Sequence, residues 1–483
     1  MLRFWITTIL LLSATLADAA GMGEADAWHL LARTGFAPTA AELSDYARLS
    51  HSAAVDQLLA QTVQQAITPV PAELAEYSPP PRFKDLSEEE KKQFQREQIQ
   101  HGLQLRARWM QEMVATPSPL TEHMTLFWHN HFVSSIQKVK SPALMLAQNQ
   151  LLRRDALGNF GDMLHAVAKD PAMIIYLDNL QNRKAQPNEN FAREVMELFT
   201  LGIGNYTEQD VREAARAFTG WSLDRDTGAF LNRPFQHDNG IKTVLGQTGN
   251  FNGDDVLDIL LQQPATAEWV TQKLWRDLIS DHPDPAEIKR LAAIFRDQHY
   301  EIRPLLRAIL LSDAFWAPQN RGNLVKSPVE LLVGSVRQLN IHQLDPRILA
   351  LTSRQLEQDL FAPPNVKGWP GGDSWINSTT LLNRKQFLDK LTRGADMPLP
   401  EQNMIQPPAT PEQRLARLTQ RGMNHIDYAP DNWIGNLAAQ PQDQYRRAEH
   451  LLLAAAPSEP VAPGLPPADY VRTLLLDPVY QLK

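Results

Sequence analysis

Residues 187–202 (Pro-Asn-Glu-Asn-Phe-Ala-Arg-Glu-Val-Met-Glu-Leu-Phe-Thr-Leu-Gly) constrain the fold more than any other stretch. At 3.6 residues per turn, Phe191, Val195, Leu198 and Phe199 make one apolar stripe, and Asn190, Glu194 and Glu197 run along its border. A helix with such a stripe must be covered by another element, and the same spacing returns along the chain. Ala25, Trp28, Leu31 and Ala32 share a face, as do Leu120, Met124, Phe127, Trp128 and His131, and again Val211, Ala214, Ala215 and Phe218. Helix packed on helix is the architecture these patterns demand.

Start and stop signals divide the stripes into elements. Ser87 followed by Glu90 is a capping box that opens a long helix to about Val114; Ser118-Pro119, Thr207 and Asn252 open others, and Gly202 is a stop. Further helices are predicted over residues 162–177 with a break at Asp170-Pro171, and over 269–278, 286–297 and 304–312. Past Trp221 the texture changes: residues 228–231 and 243–245 are short β-type runs between turn residues, which predicts one small hairpin inserted at about 222–248. The fold expected is mainly α, a large multi-helix domain over 20–395 carrying that hairpin, followed by a proline-linked helical tail over 396–483.

Residues 1–19 read as a secretory signal, with Arg3 as the positive start, an apolar run from Phe4 to Leu16 and a small-residue cleavage site at Ala17-Asp18-Ala19. The expected location is therefore periplasmic or secreted, and no later stretch approaches the roughly 20 apolar residues of a membrane span. The chain has no cysteine, so disulfides, a cysteine-linked lipid and thiolate-bound zinc are excluded and stability must come from burial. At 43% hydrophobic and 21% charged residues it has material for a sizeable core. The net charge of −8 is unchanged by the expected cleavage, because Arg3 and Asp18 leave together, and it speaks against a nucleic-acid partner.

The chemistry expected centres on Glu194 and Glu197. Like charges one turn apart need a cation, a shared proton or open water. Two readings stand: an ion-pair network with Arg193, Arg212 and Arg216, or a site that also draws on His129 and the His237-Asp238 loop. Those five residues, Glu194, Glu197, His129, His237 and Asp238, are the predicted catalytic set. Glu189, Asn190, Arg193, Lys242, Lys367 and Trp369 are the predicted ligand contacts. Oxygen and imidazole donors would suit a divalent Mg, Mn, Zn or Fe, though no spacing selects among these or fixes that a metal binds. His129 faces away from His131 together with Glu122, so the two rings cannot chelate one ion, and His131 reads as a core histidine. Asp224 to Gly228 reads as a turn, not a calcium loop. The loop over 362–372, with Lys367, Trp369 and nearby Trp375, either presents a ring to a ligand or pins helices together. G-x-S-x-G, G-x-x-x-x-G-K, G-x-G-x-x-G, H-E-x-x-H and paired E-x-x-H motifs are absent.

Several of these pieces belong to a wider pattern. Asn188-Glu189-Asn190, Ala192-Arg193-Glu194, Glu197-Leu198, Leu201-Gly202, Tyr206-Thr207 and Thr219-Gly220-Trp221 occur with residues 127–132, His237-Asp238, Lys326-Ser327-Pro328 and residues 364–372. Together they resemble the bacterial domain-of-unknown-function family 1800. The resemblance implies an exported, mainly helical protein and carries over no activity. Members are often encoded beside a family that resembles sulfatases, which implies an exported sulfatase-like partner. Three functions are therefore expected in competition: a carboxylate and histidine enzyme, metal-assisted or not, acting on an extracytoplasmic substrate; a non-catalytic binding or assembly partner of such a sulfatase-like protein; and glycan binding through Trp369 and Trp375.

Overall fold

The computed structural model describes residues 21–393, 426 and 428–483. The expected signal segment and the expected boundary near 395 lie outside them. The chain opens with α1 (Glu24–Thr34), α2 (Ala40–Tyr46) and α3 (His51–Ala60), then crosses a proline-rich connector to α4 (Glu88–Ala115). The capping box forms as read: Ser87 Oγ accepts from the Glu90 N–H at 3.3 Å, and the Glu90 carboxylate accepts from the Ser87 N–H at 2.8 Å. α5 (Pro119–His131) starts at its proline, but Ser118 does not cap it. Its hydroxyl is engaged with that of Thr121 at 2.7 Å instead, a local bond that competes with the backbone amides.

α6 (Pro142–Asp155), α7 (Phe160–Ala168) and α8 (Pro171–Tyr176) follow, each behind a Ser, Asn or Asp cap. The striped segment over 187–202 begins as α9 (Asn190–Glu194), and the expected single helix is not what forms. It does not continue as an α-helix to Gly202: Val195–Thr200 is a π-helical turn, with the Leu201 N–H reaching the Met196 carbonyl five residues back at 2.8 Å. The burial pattern survives the change, since Phe191, Val195, Leu198 and Phe199 are all buried and Asn190, Glu194 and Glu197 are half-buried.

α10 (Glu208–Ala217) leads into the β insertion, which holds two ribbons rather than one hairpin. β1 (Trp221–Leu223) pairs antiparallel with β2 (Phe230–Asn232), and β3 (Lys242–Val244) with β4 (Gln247–Gly249). The two short runs read as partners are thus in different ribbons, because each finds a nearer mate across its own turn. The turn at Asp224 is as expected, its carboxylate accepting from the Asp226 and Thr227 amides at 3.1 and 2.9 Å.

The remaining described helices of six or more residues are α11 (Gly253–Gln262), α12 (Pro264–Leu278), α13 (Pro285–Asp297), α14 (Ile302–Leu310), α15 (Pro328–Gln338), α16 (Pro346–Gln355), α17 (Ser378–Arg393), α18 (Pro430–Gly435), α19 (Pro441–Leu452) and α20 (Pro467–Leu476). One continuous apolar core joins them, running from Ala27 to Tyr480 with Trp109, Trp128 and Trp275 fully buried within it. The last helices are tied into this core by hydrogen bonds from buried rings. Trp28 Nε1 donates to the Leu451 carbonyl at 2.9 Å, Trp433 Nε1 to that of Gln338 at 2.9 Å, and the hydroxyls of Tyr480 and Ser335 meet at 2.8 Å. Residues 324–326 and 481–483 run antiparallel, and Lys326 donates its N–H to the Gln481 carbonyl at 2.8 Å.

Candidate functional site

The arginines expected to neutralise Glu194 and Glu197 are bound elsewhere. Arg193 reaches Glu208 at 2.7 Å and Glu189 at 3.1 Å; Arg212 holds Gln209 at 2.8 Å; Arg216 holds Glu213 at 2.8 Å and Asp238 at 2.7 Å. Glu197 accepts instead from the Tyr206 hydroxyl at 2.7 Å. The Glu194 carboxylate has no hydrogen-bond partner among the described residues. Burial, then repulsion from Glu197, raises its pKa above the usual carboxylate range, against the pull of Arg193 and Lys367.

The five predicted catalytic residues fall into three separate neighbourhoods, with no hydrogen bond or ion pair joining one to another. His129 is buried between Trp109, Phe361 and Trp369, and its Nε2 accepts from the Phe361 N–H at 3.2 Å. Burial, helped by Arg106, pushes its pKa down to about 3, so it is a neutral core histidine. Glu122, expected beside it, is a buried partner of Arg153. His237 receives its order from Thr219, with Nδ1 at 2.9 Å from that carbonyl. Asp238 is clamped by Arg216, and Lys242 Nζ is spent on the Asp238 and Gly240 carbonyls. This loop is fixed by hydrogen bonds to Thr219 and Arg216 and by Lys242. Among the described residues no three His, Asp or Glu side chains are grouped so as to hold a metal ion.

Two predicted contacts, Lys367 and Trp369, do line a cleft of about 350 Å³ between α5, α12, the start of α15 and the 362–375 loop. Trp369 is buried rather than displayed, which corrects the reading of it as a ring offered to a ligand. Asn130 holds its peptide from both sides: the side-chain oxygen accepts from the Trp369 N–H at 2.7 Å and the side-chain amide donates to its carbonyl at 3.2 Å. Gly368 is what permits this, with φ at +80° and a position where a Cβ would lie 2.1 Å from Asn130 Oδ1.

The other walls hold residues that the sequence reading passed over. His123 Nε2 lies 2.7 Å from Asp277 Oδ2, while its Nδ1 has no hydrogen bond and stands 3.8 Å from Glu330. Glu330 is also paired with the Lys483 ammonium. Burial would raise the Asp277 carboxyl, but His123, Lys483 and Arg33 outweigh it and hold the pKa below the usual value. Glu330 is held down in the same way, burial being outweighed by Lys483 and His123. On the same wall His131 Nε2 donates to the Phe199 carbonyl at 3.0 Å, which leaves Nδ1 as a buried acceptor without a partner. Lys273 and Trp269 donate to the neighbouring Leu198 carbonyl at 3.3 and 2.8 Å. These are the orphan carbonyls of the π-helical turn, freed where Gly202 at φ +75° turns the chain away. The opening stretch therefore serves the cleft through its backbone.

A signal for these residues was present in spacing. His123, Phe127 and His131 recur at four-residue intervals on α5, and Lys273, Arg276 and Asp277 share one face of α12. Glu330 was hidden by its other task, since its carboxylate also accepts from the Ser327 N–H at 2.7 Å in a capping box.

The family described as Protein of unknown function (DUF1800) matches residues 29–482, nearly the whole chain. The chain belongs to that family. Both halves of the cleft, α5 with its histidines and the loop with Lys367 and Trp369, fall inside the family match. No curated protein and no solved structure matches the chain.

Proposed function

We propose that this DUF1800 member is an exported enzyme of the carboxylate and histidine type, working in the cleft between α5, α12 and the 362–375 loop. One observation carries the reading: His123, oriented by Asp277 through Nε2, lines the cleft, and its Nδ1, buried and 3.8 Å from Glu330, has no hydrogen-bond partner. A carboxylate that fixes one ring nitrogen leaves the other to take a proton from a bound substrate and return it. Asp277 is the positioning residue, and Glu330 with Lys483 holds the opposite side of the ring in a fixed field. Glu194 and Glu197 stand behind this site, coupled to it through Lys367 and through the Leu198 and Phe199 carbonyls.

The test is turnover of a panel of chromogenic esters, phosphates, sulfates and glycosides by the mature protein and by His123→Gln. Loss of a general base of this kind lowers turnover by about 100-fold to 10,000-fold. Turnover by His123→Gln equal to wild type refutes the assignment. Asp277→Asn should give an intermediate loss, since it disturbs the ring's orientation and leaves the ring in place. Export is tested by N-terminal sequencing of protein from the periplasmic or culture fraction, with a start at or near Ala20 expected.

A further inference from the structure

The cleft carries positive side chains that no described residue neutralises. Lys273, Arg276 and Lys367 line it, and among the described residues no carboxylate lies within ion-pair distance of any of the three, although ion pairs are plentiful elsewhere on the molecule. Lys273 spends its ammonium on the Leu198 carbonyl, and Arg276 makes no hydrogen bond at all among the described residues. Lys367 feels Glu194 without touching it. The negative side chains of the cleft are differently placed: Glu330 is matched by Lys483, Asp277 is hydrogen-bonded to His123, whose role as base requires a neutral ring, and Asp281 is unmatched. Three unmatched cations against these two carboxylates leave an excess of one positive charge, on a chain whose net charge is −8.

We propose that the cleft binds a small organic phosphate monoester, its dianionic head held between Lys273, Arg276 and Lys367 and its ester end directed toward His123. A phosphate monoester carries about −1.5 to −2 at pH 7 and is drawn to the three unpaired cations more strongly than a carboxylate or a sulfate ester, which brings about −1. The arginine can meet two phosphate oxygens at once and the lysines supply point charges, the division of labour common in phosphate recognition. The volume, about 350 Å³, is at the small end of ligand pockets and suits a metabolite-sized ester rather than a polymer. His131 Nδ1, a buried acceptor on the same wall, can receive a hydroxyl of the organic part. Burial and then repulsion from Arg276 push the Lys273 pKa down to about 8, and a bound dianion relieves the second of these.

This assignment rests on the cleft being the working site, and binding tests it apart from turnover. Isothermal titration calorimetry at constant low ionic strength is run with glycerol 1-phosphate, inorganic phosphate, methyl sulfate and acetate. Glycerol 1-phosphate is expected to bind about tenfold or more tighter than either monoanion, and more weakly as pH falls through the second phosphate ionisation near 6. Arg276→Gln and Lys367→Gln are each expected to weaken it by about tenfold, with unchanged thermal melts because both side chains are exposed and unpaired. Arg347→Gln, which removes a surface cation paired with Asp345, should leave binding as in wild type. Equal weak binding of all four anions, or wild-type affinity in the Arg276→Gln/Lys367→Gln double variant, overturns the proposal. Inorganic phosphate binding as tightly as the ester also overturns it, in favour of a free-phosphate site. If His123→Gln turns over like wild type while glycerol 1-phosphate still binds and the Arg276→Gln/Lys367→Gln double variant loses it, only the catalytic reading has failed, so the two failures are distinguishable.

Discussion

Glu122→Gln is the most informative single change in the core. The Glu122 carboxylate lies between two elements: Arg153 on α6 donates to it from Nε at 2.5 Å and from Nη2 at 2.9 Å, and Trp109 on α4 donates from Nε1 at 2.8 Å. Both charged side chains are only 1–2% exposed, so water cannot take over either role. The glutamine keeps the shape and one acceptor oxygen but turns an N–H₂ toward donors, and it leaves the Arg153 guanidinium buried without a counter-charge. Removing one member of such a pair costs about 3–5 kcal/mol. Arg153→Met in the same background removes the stranded charge, while the glutamine oxygen still serves Trp109. The double variant should therefore recover about half or more of that loss, a coupling of roughly 2 kcal/mol or above. Urea unfolding of wild type, both single variants and the double variant measures the cycle, with the slope checked for constancy. A Glu122→Gln cost under about 1 kcal/mol, or strict additivity of the two changes, would refute the claim that this pair is a desolvated unit.

Asp170 gives a pH signature: burial raises its carboxyl to about 7, despite the Met173 N–H at 2.9 Å and the Gln148 amide at 2.7 Å that favour the anion. The unfolded chain gives up this proton near 3.9, so stability is fully present below about pH 4 and falls as pH rises toward 7, by up to roughly 4 kcal/mol. Asp170→Asn should flatten that part of the stability profile in chemical melts from pH 4 to 7, and an unchanged slope would count against the burial argument. Gly368→Ala should cost about 2 kcal/mol or more and break the Asn130–Trp369 clamp, whereas Gly371→Ala, with φ +76° but nothing within 4 Å of its Cβ, should cost only the backbone strain of about 1–2 kcal/mol. Thermal melts compare the two, and equal losses would remove the clash from the explanation. Co-expression with an exported sulfatase-like neighbour and pull-down at moderate salt tests the association implied by the family resemblance; a stable complex should bury more than roughly 1,000 Å², and two persistently monomeric proteins would dismiss it.

Helix after helix was legible because capping chemistry and a 3.6-residue repeat are local. Ser87 with Glu90 forms the box its spacing announces, and Thr207 and Asn252, read as helix starts, cap their helices, each in a box with the Asp three residues on. The π-helical turn was not legible, since Val195 to Thr200 bury the same side chains under either winding and only the carbonyls change partners. The ribbons were half legible: short β-type runs could be seen, but a three-residue strand does not reveal its mate. The site was legible least. Glu194 and Glu197 drew notice as an uncompensated pair, and they remain free of arginine, yet His123, Asp277 and Glu330 come from elements 154 and 207 residues away from the histidine, measured as 277 − 123 and 330 − 123. No local pattern announces such a meeting. His129 misled for the opposite reason: a histidine in a motif-like run looks chemical until its ring nitrogen is found serving a backbone amide of Phe361.

The bond from the Trp28 indole to the Leu451 carbonyl joins positions 423 residues apart, and Leu451 is met a second time by the Gln338 side chain. A ribosome adding about 5–20 residues per second needs tens of seconds between making the first partner and the second. During that interval α1 has no complete seat, and the core that runs from Ala27 to Tyr480 cannot close. Such long-range closure is slow and leaves apolar faces waiting. Part of the apolar core is therefore without its cover until the final helices are made, and α18 to α20 supply that cover last.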